Sequence, residues 1–290
     1  MTIQNAIGLL RGRNVAVLSG AGVSTESGIP DYRSPESLAK GPRRPIQGPE
    51  FVRSELLRRR YWARAMAGWE TFRLARPGPA HRALAMLEQE GTVAALITQN
   101  VDRLHHAAGS QRVTELHGAL ADVICLDCPA EEDRESVQSR MRALNPGWLD
   151  GPSPMAPDGD ADLPDALIER FVPPTCLSCG GPLKPKVVFF GDHVARPTVE
   201  AAYAQIDAAD ALLVVGTSLL VFSGYRFLLR ACERKIPIVI VNRGPVRGEE
   251  RAALKLEAAA GQTLTAIAEG LVPQSLPGPG APSHPRPTAS

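Results

Sequence analysis

The sequence has almost no excess charge and no long apolar run. Its 32 basic and 31 acidic side chains leave a net charge of +1, so no overall field attracts nucleic acid or an anionic membrane. No uninterrupted apolar stretch reaches the roughly 18–20 residues that a membrane-spanning helix needs. The sequence therefore predicts a protein with neither a nucleic-acid partner nor a membrane partner.

Cysteine is also scarce. The 290 residues contain five cysteines, whereas small secreted scaffolds are dense in disulfides. A strand-like segment begins at Val15, which leaves no room for a secretory leader before it. Both observations predict a reducing, cytoplasmic location.

Hydrophobic residues make up 44% of the chain, which is enough to fill a large core. Four short apolar runs, each ending at a polar or glycine-rich turn, predict buried strands at residues 15–18, 93–97, 211–215 and 236–241. Amphipathic stretches at 81–89 and 225–234 indicate helices between them. This alternation predicts an α/β fold with a Rossmann-type doubly wound parallel sheet, whose site lies beyond the carboxyl ends of the strands.

Two stretches, residues 35–79 and 121–183, interrupt the alternation and are interpreted as a smaller, partly helical inserted module. Within the second stretch, residues 145–165 contain five prolines and three glycines, which predicts a long loop. The folded domain is expected to span residues 1–272. Residues 273–290 contain six prolines and predict a disordered tail.

A glycine-rich loop, Gly20-Ala-Gly-Val-Ser-Thr-Glu-Ser-Gly28, follows the first predicted strand. Glycines permit a tight turn and bring backbone N–H groups to a pyrophosphate. However, the third glycine follows Gly22 by six positions, whereas the usual dinucleotide fingerprint places it about three positions on. Taken alone, the loop is explained equally well as a plain turn between a strand and a helix.

Two Cys-x-x-Cys pairs, Cys125 with Cys128 and Cys176 with Cys179, are separated by 47 residues. Four thiolates match one tetrahedral structural zinc site per chain. Redox dithiols are the alternative, which the reducing compartment and the lack of a thioredoxin-like pattern disfavour. Because four protein ligands leave no position for a reactive water, we expect the zinc to hold the module together and to take no part in chemistry. The fifth cysteine, Cys232, is expected to be a buried apolar residue of a helix.

Further spaced motifs follow one another along the chain, at residues 20–34, 98–109, 116–118, 184–192, 216–218 and 241–245. In this order they resemble the sirtuin family of NAD-dependent protein lysine deacylases, and the resemblance extends over about residues 5–272. Residues 222–227 and 242–250 resemble the class II branch, which groups bacterial proteins with a mitochondrial sirtuin.

The resemblance implies NAD as a co-substrate, bound at the carboxyl edge of the sheet. The implied NAD-binding residues are Gly20, Ala21, Gly22, Ser24, Thr25, Ile29, Pro30, Asp31, Tyr32, Arg33, Gln99, Asn100, Val101, Asp102, Gly216, Thr217, Ser218, Asn242, Arg243, Gly244 and Ala260. Asn100 and Asp102 are also implied in catalysis, although turn formation after a strand explains Asp102 as well.

The implied reaction needs a general base that activates a ribose hydroxyl after the nicotinamide bond is broken. Histidine suits this task because its ordinary pKa lies near neutral pH. The resemblance assigns the role to His117, for which packing behind a turn is the alternative interpretation. The remaining candidates, His81, His105, His106 and His193, are interpreted as structural or solvated.

The implied substrate is an acyl-lysine protein or peptide whose backbone pairs with the apolar run at 187–190, by strand addition. Val188, Phe189, Phe190 and Gly191 are the implied contacts, and a plain core strand is the alternative. Mono-ADP-ribosyl transfer from the same NAD site is the alternative activity. A non-catalytic NAD-binding or zinc-ribbon interaction module would be expected to lack His117 or Asn100. From the branch resemblance and the 145–165 loop, we expect acyl groups bulkier than acetyl to react faster.

Overall fold

The computed structural model describes residues 2–31, 45–148 and 163–272. Tyr32, Arg33, most of the 145–165 loop and the 273–290 tail therefore lie outside the described residues. No helix within the described ranges is both long enough and apolar enough to cross a membrane.

Nine strands in the described part of the chain form two sheets. They are β1 (Val15–Ser19), β2 (Val93–Thr98), β3 (Val113–Glu115), β4 (Gly118–Cys125), β5 (Glu131–Asp133), β6 (Leu183–Val187), β7 (Ala211–Val215), β8 (Ile238–Val241) and β9 (Leu254–Leu256). The larger sheet has the order β3-β2-β1-β7-β8-β9 and is parallel throughout. The chain winds outward from β1 in both directions, so the prediction of a doubly wound parallel sheet is confirmed.

Ten helices surround the sheets. They are α1 (Ile3–Leu10), α2 (Gly48–Arg53), α3 (Glu55–Leu74), α4 (Pro79–Gln89), α5 (Leu104–Ala107), α6 (Arg134–Leu144), α7 (Asp165–Glu169), α8 (Arg196–Ala208), α9 (Phe222–Glu233) and α10 (Ala260–Leu271), all within the described ranges. Helices α1, α4 and α10 bury apolar side chains against one face of the larger sheet, and α8 and α9 cover the other face. Because both faces are covered, β1 and β7 are buried at every position, and this produces the continuous apolar runs in the sequence.

The strand predicted at 236–241 begins two residues late, at Ile238. The N–H of Ile236 donates to the Ala231 carbonyl at 3.2 Å and so completes the end of α9, while Pro237 has no N–H to give to a ladder. The edge strands β3 and β9 were not predicted, because three residues are too few to show a pattern.

The smaller sheet has the order β5-β4-β6 and is antiparallel. Helices α2, α3, α6 and α7 pack on it around an aromatic core that includes Trp62, whose indole N–H donates to the Leu183 carbonyl at 3.0 Å. Thus residues 48–74 and the described parts of 118–187, namely 118–148 and 163–187, meet in one module although they are distant in sequence.

Candidate active site at the carboxyl edge of the larger sheet

The loop after β1 forms two 3-10 turns, at Ala21–Val23 and Thr25–Ser27, instead of a helix. A Cβ atom on Gly22 would lie 2.8 Å from the Cα atom of Gly216, and one on Gly20 would lie 2.6 Å from the Cβ atom of Thr217. Glycine is therefore required because this loop packs directly on the turn after β7.

The same contact uses the backbone N–H groups of both glycines. The N–H of Gly20 donates to the Val215 carbonyl at 3.1 Å, and the N–H of Gly22 donates to the Gly216 carbonyl at 2.8 Å. These two N–H groups are therefore not directed at a pyrophosphate, and the expectation that N–H groups of this loop meet one stays a prediction for its other residues. The two glycines join two loops instead, and thereby shape the floor of the site.

Ser24 lies at the centre of a polar cluster formed by the loops after β1 and β2. The Asn100 side-chain amide donates to Ser24 Oγ at 3.0 Å, and Ser24 Oγ donates to Asp102 Oδ2 at 2.6 Å. Asp102 Oδ1 also accepts the Leu104 N–H at 2.9 Å, so the turn-forming role considered for Asp102 is present beside any functional one.

His81 supports this cluster from beneath. Its Nδ1 accepts the Gly78 N–H at 3.1 Å, so the ring proton is on Nε2, which lies 3.4 Å from Ser24 Oγ and can donate to it. Burial lowers the pKa of His81 to about 4, although the charge of Asp102 acts in the opposite direction. The ring is therefore neutral at neutral pH. The ring centroid of His105, also buried, lies 4.8 Å from that of His81, and its Nε2 is 2.9 Å from Ser19 Oγ. His106 and His193 are exposed.

His117 lies in the two-residue connection between β3 and β4, where the chain leaves the larger sheet for the smaller one. Its Nδ1 is 2.9 Å from the Gln99 carbonyl oxygen, which can only accept, so the ring proton is on Nδ1. The Nε2 lone pair then accepts the hydroxyl of Ser223 at 2.9 Å. Burial lowers the pKa of His117, although the bond to Gln99 acts in the opposite direction. A half-buried neutral imidazole with a basic nitrogen toward a hydroxyl group is the arrangement that a general base requires.

Ser223, near the start of α9, was not among the predicted site residues. It lies inside the 222–227 motif, so its place just after the β7 loop was the available signal. The side-chain amide of Gln99 donates both of its protons within the protein, to the Ser19 carbonyl and to Thr217 Oγ1. Gln99 therefore ties the loops after β1, β2 and β7 together.

The remaining predicted NAD residues lie on the same edge of the sheet. Ile29 is buried, Thr25 is exposed and donates to the Gly22 carbonyl, and the Asn242 amide closes the turn after β8 by donating to the carbonyls of Arg243 and Gly244. Ala260 is buried at the first turn of α10. The loops after β1, β2, β7 and β8 thus converge with the start of α10. These loops also carry the other predicted NAD residues of the described ranges, namely Ala21, Pro30, Asp31, Val101 and Ser218.

The four predicted zinc ligands meet at the far end of the smaller sheet. Their Sγ atoms all lie within 4.8 Å of one another, with Cys125–Cys179 at 3.5 Å and Cys128–Cys176 at 3.7 Å. A tetrahedral ion with Zn–S bonds of about 2.3 Å would set sulfur atoms about 3.8 Å apart, so the four thiolates fit one zinc.

Backbone N–H groups support this interpretation. Those of Asp127, Ser178 and Gly181 donate to Sγ of Cys125, Cys176 and Cys179, respectively, at 3.3–3.4 Å. Cys125 pairs with Leu183 in the β4–β6 ladder, and this pairing brings the two Cys-x-x-Cys pairs together. Since β4 separates the thiolates from His117 by roughly 20 Å, the thiolate cluster lies away from the candidate base. Cys232 is half-buried and not fully buried as expected.

The peptide-binding segment also needs a correction. The strand expected at 187–190 ends at Val187, because the N–H of Asp192 donates to the Phe189 carbonyl at 3.0 Å and closes a turn with Gly191 at φ +80°. Phe190 makes only an isolated parallel bridge with Gln47. The N–H of Val188 donates to the His117 carbonyl at 2.9 Å, so this turn lies beside the candidate base.

Comparison with known proteins gives a consistent result. The Sir2 family model matches residues 20–223. The chain is 51% identical over 257 residues to the bovine NAD-dependent protein lipoamidase sirtuin-4, mitochondrial, covering 88% of this chain and 82% of that protein. It is 49% identical over 254 residues to an NAD-dependent protein deacetylase of Xanthomonas campestris, covering 88% and 86%. A solved Sir2–p53 peptide–NAD+ structure superposes with a TM-score of 0.72 at 28% identity, covering 93% and 98% of the two chains.

Proposed function

Because this chain belongs to the Sir2 family, we propose that it is an NAD-dependent protein lysine deacylase with His117 as its general base. One observation carries this proposal: the His117 ring is neutral, its Nδ1 proton is held by the Gln99 carbonyl, and its Nε2 lone pair faces a hydroxyl group at the carboxyl edge of the sheet. A base in this state can remove a proton from a substrate hydroxyl at neutral pH.

NAD, when bound, supplies ADP-ribose as the acyl acceptor and nicotinamide as the leaving group. Ser24, Asn100 and Asp102 form the polar floor that would orient the nicotinamide ribose, and Ile29 would exclude water beside them. His117 would take the proton of a ribose hydroxyl at Nε2, displacing Ser223 from that nitrogen. The loops after β7 and β8, with the start of α10, would hold the adenosine half of the molecule.

The proposed substrates are acyl-lysine side chains of proteins, which would enter beside the 188–191 turn. We further propose that the chain belongs to the class II branch and prefers an acyl group bulkier than acetyl. The 51% identity to a protein named as a lipoamidase supports this preference, although similar relatives are named deacetylases. The thiolate cluster supports a reducing compartment such as the bacterial cytoplasm, because oxidation of the thiolates would prevent zinc binding.

The decisive experiment incubates purified protein and NAD with acetyl-, lipoyl- and long-chain acyl-lysine peptides and follows every product by mass. Deacylation yields nicotinamide, free lysine peptide and O-acyl-ADP-ribose in equal amounts. ADP-ribose attached to protein without loss of the acyl group would favour mono-ADP-ribosyl transfer instead. A wild type that turns over acetyl-lysine fastest would contradict the proposed acyl preference alone.

A further inference from the structure

A groove lies between α8 and α9. It encloses about 450 Å³ and is lined by Tyr203, Phe222, Arg226, Leu229, Arg230 and Glu233. Phe222 precedes Ser223, whose hydroxyl lies 2.9 Å from Nε2 of His117. Phe222 is therefore a wall of this groove and also the sequence neighbour of the residue that contacts the candidate base.

Arg226 is the unusual residue of this groove. Its Nε atom is buried and has no hydrogen-bond partner, and within the described ranges its guanidinium group makes no hydrogen bond or ion pair. Its closest described interaction is with the ring of Phe222, at 5.0 Å from the ring centroid. The residue as a whole is half-buried, so an external acceptor can reach it, and a donor without a protein partner favours binding one.

The neighbouring charges do not neutralise Arg226. Arg230 is held by both oxygens of Asp207, at 2.7 and 3.0 Å, and by Glu233 at 3.1 Å. The acidic side chains near the groove, Asp207 and Glu233, are thus already paired with Arg230. Arg226 remains the unpaired cation, and a planar guanidinium group selects a carboxylate that can accept two hydrogen bonds.

Phe222 gives this cation an exposed apolar neighbour. It is 54% exposed, which is unusual for a ring, and Leu220 beside it is 56% exposed. Arg226 follows Phe222 by one helical turn, a rise of about 6 Å, which is the span of about two residues of an extended peptide.

We propose that Arg226, with Phe222, forms a specificity subsite for an acidic side chain of the substrate protein, close in sequence to the acyl-lysine. This inference rests on the proposed deacylase function and adds a preference for the sequence around the modified lysine. The carboxylate would pair with the guanidinium group while the stem of the side chain crosses the Phe222 ring.

The test uses peptides with one acyl-lysine and otherwise neutral residues, into which a single Glu or a single Lys is placed at each flanking position in turn. For the wild type we expect KM to fall about three- to tenfold for Glu relative to Lys at one or two positions, with little change in kcat. Arg226→Glu should reverse this order at the same positions, and Arg226→Gln should abolish it. Arg196→Glu on α8, whose side chain is 89% exposed, is the matched control and should keep the wild-type order.

The neutral peptide separates failure of this inference from failure of the proposed function. If the wild type deacylates it but does not discriminate Glu from Lys at any position, the subsite is wrong and the deacylase proposal stands. An Arg226→Glu variant that keeps the wild-type order would also overturn the subsite. If no peptide is deacylated, the deacylase proposal fails, and peptide binding measured by fluorescence anisotropy still shows whether Arg226 selects Glu. If the Arg226→Glu variant does not fold, the loss of discrimination between Glu and Lys in Arg226→Gln still tests the subsite.

Discussion

The two sheets of this molecule are stabilised in different ways. The larger sheet is covered on both faces, by clusters of 23 and 17 buried apolar residues. Among the described residues, the smaller sheet packs on one cluster of 13 buried residues, two of which are the cysteines Cys125 and Cys176, and on a second cluster of six. From this comparison we expect apolar burial to suffice for the larger sheet, whereas the smaller module should depend on the ion that its thiolates fit.

The first prediction tests this dependence directly. We expect one zinc per chain by elemental analysis, and we expect chelation or Cys128→Ser to unfold the smaller module, because binding free energies of structural zinc reach about 10 kcal/mol or more. Signals from Trp62 and Trp69 in that module should change, while the parallel sheet keeps much of its circular dichroism. Cys232→Ser is the control and should retain the zinc. Active wild-type protein without zinc would refute the prediction.

The second prediction concerns the residue that joins the two sheets. His117→Ala should lower acyl transfer by about 10²–10⁴-fold, since a general base contributes that much, while the melting temperature changes little. NAD binding should remain measurable, because the base acts after the cofactor is bound. Because burial lowers the pKa of His117, the acidic limb of the wild-type kcat/KM profile should lie below the ordinary histidine pKa. Undiminished deacylation by His117→Ala would remove this residue from its role.

The third prediction concerns the pH dependence of the larger domain. The folded-state pKa of His81 is about 4, compared with an ordinary value of 6.5. Its contribution to stability is therefore complete above pH 6.5 and is lost as pH falls toward 4, by up to about 3 kcal/mol of unfolding free energy. His81→Gln, which can replace both ring hydrogen bonds without titrating, should show a smaller loss over this range. Equal pH dependence of both proteins in urea titrations would contradict the assignment.

The fourth prediction tests the contact between the loops after β1 and β7. Gly22→Ala places a methyl group 2.8 Å from the Gly216 Cα atom and should cost about 1–3 kcal/mol through overpacking. NAD affinity should fall as well, because the floor of the site shifts. Gly8→Ala is the control, since nothing lies within 4 Å of the added atom. A Gly22→Ala protein with wild-type stability and NAD affinity would show that this contact is readily relaxed.

The sequence predicts the larger sheet better than the smaller one, for a physical reason. Strands such as β7 are buried on both faces and leave uninterrupted apolar runs. In the smaller sheet, β5 is three acidic residues long and β6 contains two lysines and a proline, so neither has a readable period. The cysteine spacing nevertheless predicted that the distant segments meet there.

The site was predicted in its residue types but not in its internal bonds. The motifs placed Ser24, Asn100 and His117 near one edge. They could not show that the glycine N–H groups are used between loops, because hydrogen-bond partners depend on the separation of segments about 195 residues apart. The pairing of His117 with Ser223 escaped prediction for the same reason.

The position of His117 in the short connection between the two sheets has a consequence for inhibition. Its carbonyl is held by Val188 of the smaller module, and its ring is held by Gln99 and Ser223 of the larger one. The orientation of the imidazole therefore depends on the position of the smaller module relative to the larger sheet. If His117 is the base, as proposed, a small molecule that separates Val188 from His117 should act as a non-competitive inhibitor toward NAD, because it would misalign the imidazole and leave the loops after β1, β7 and β8 intact.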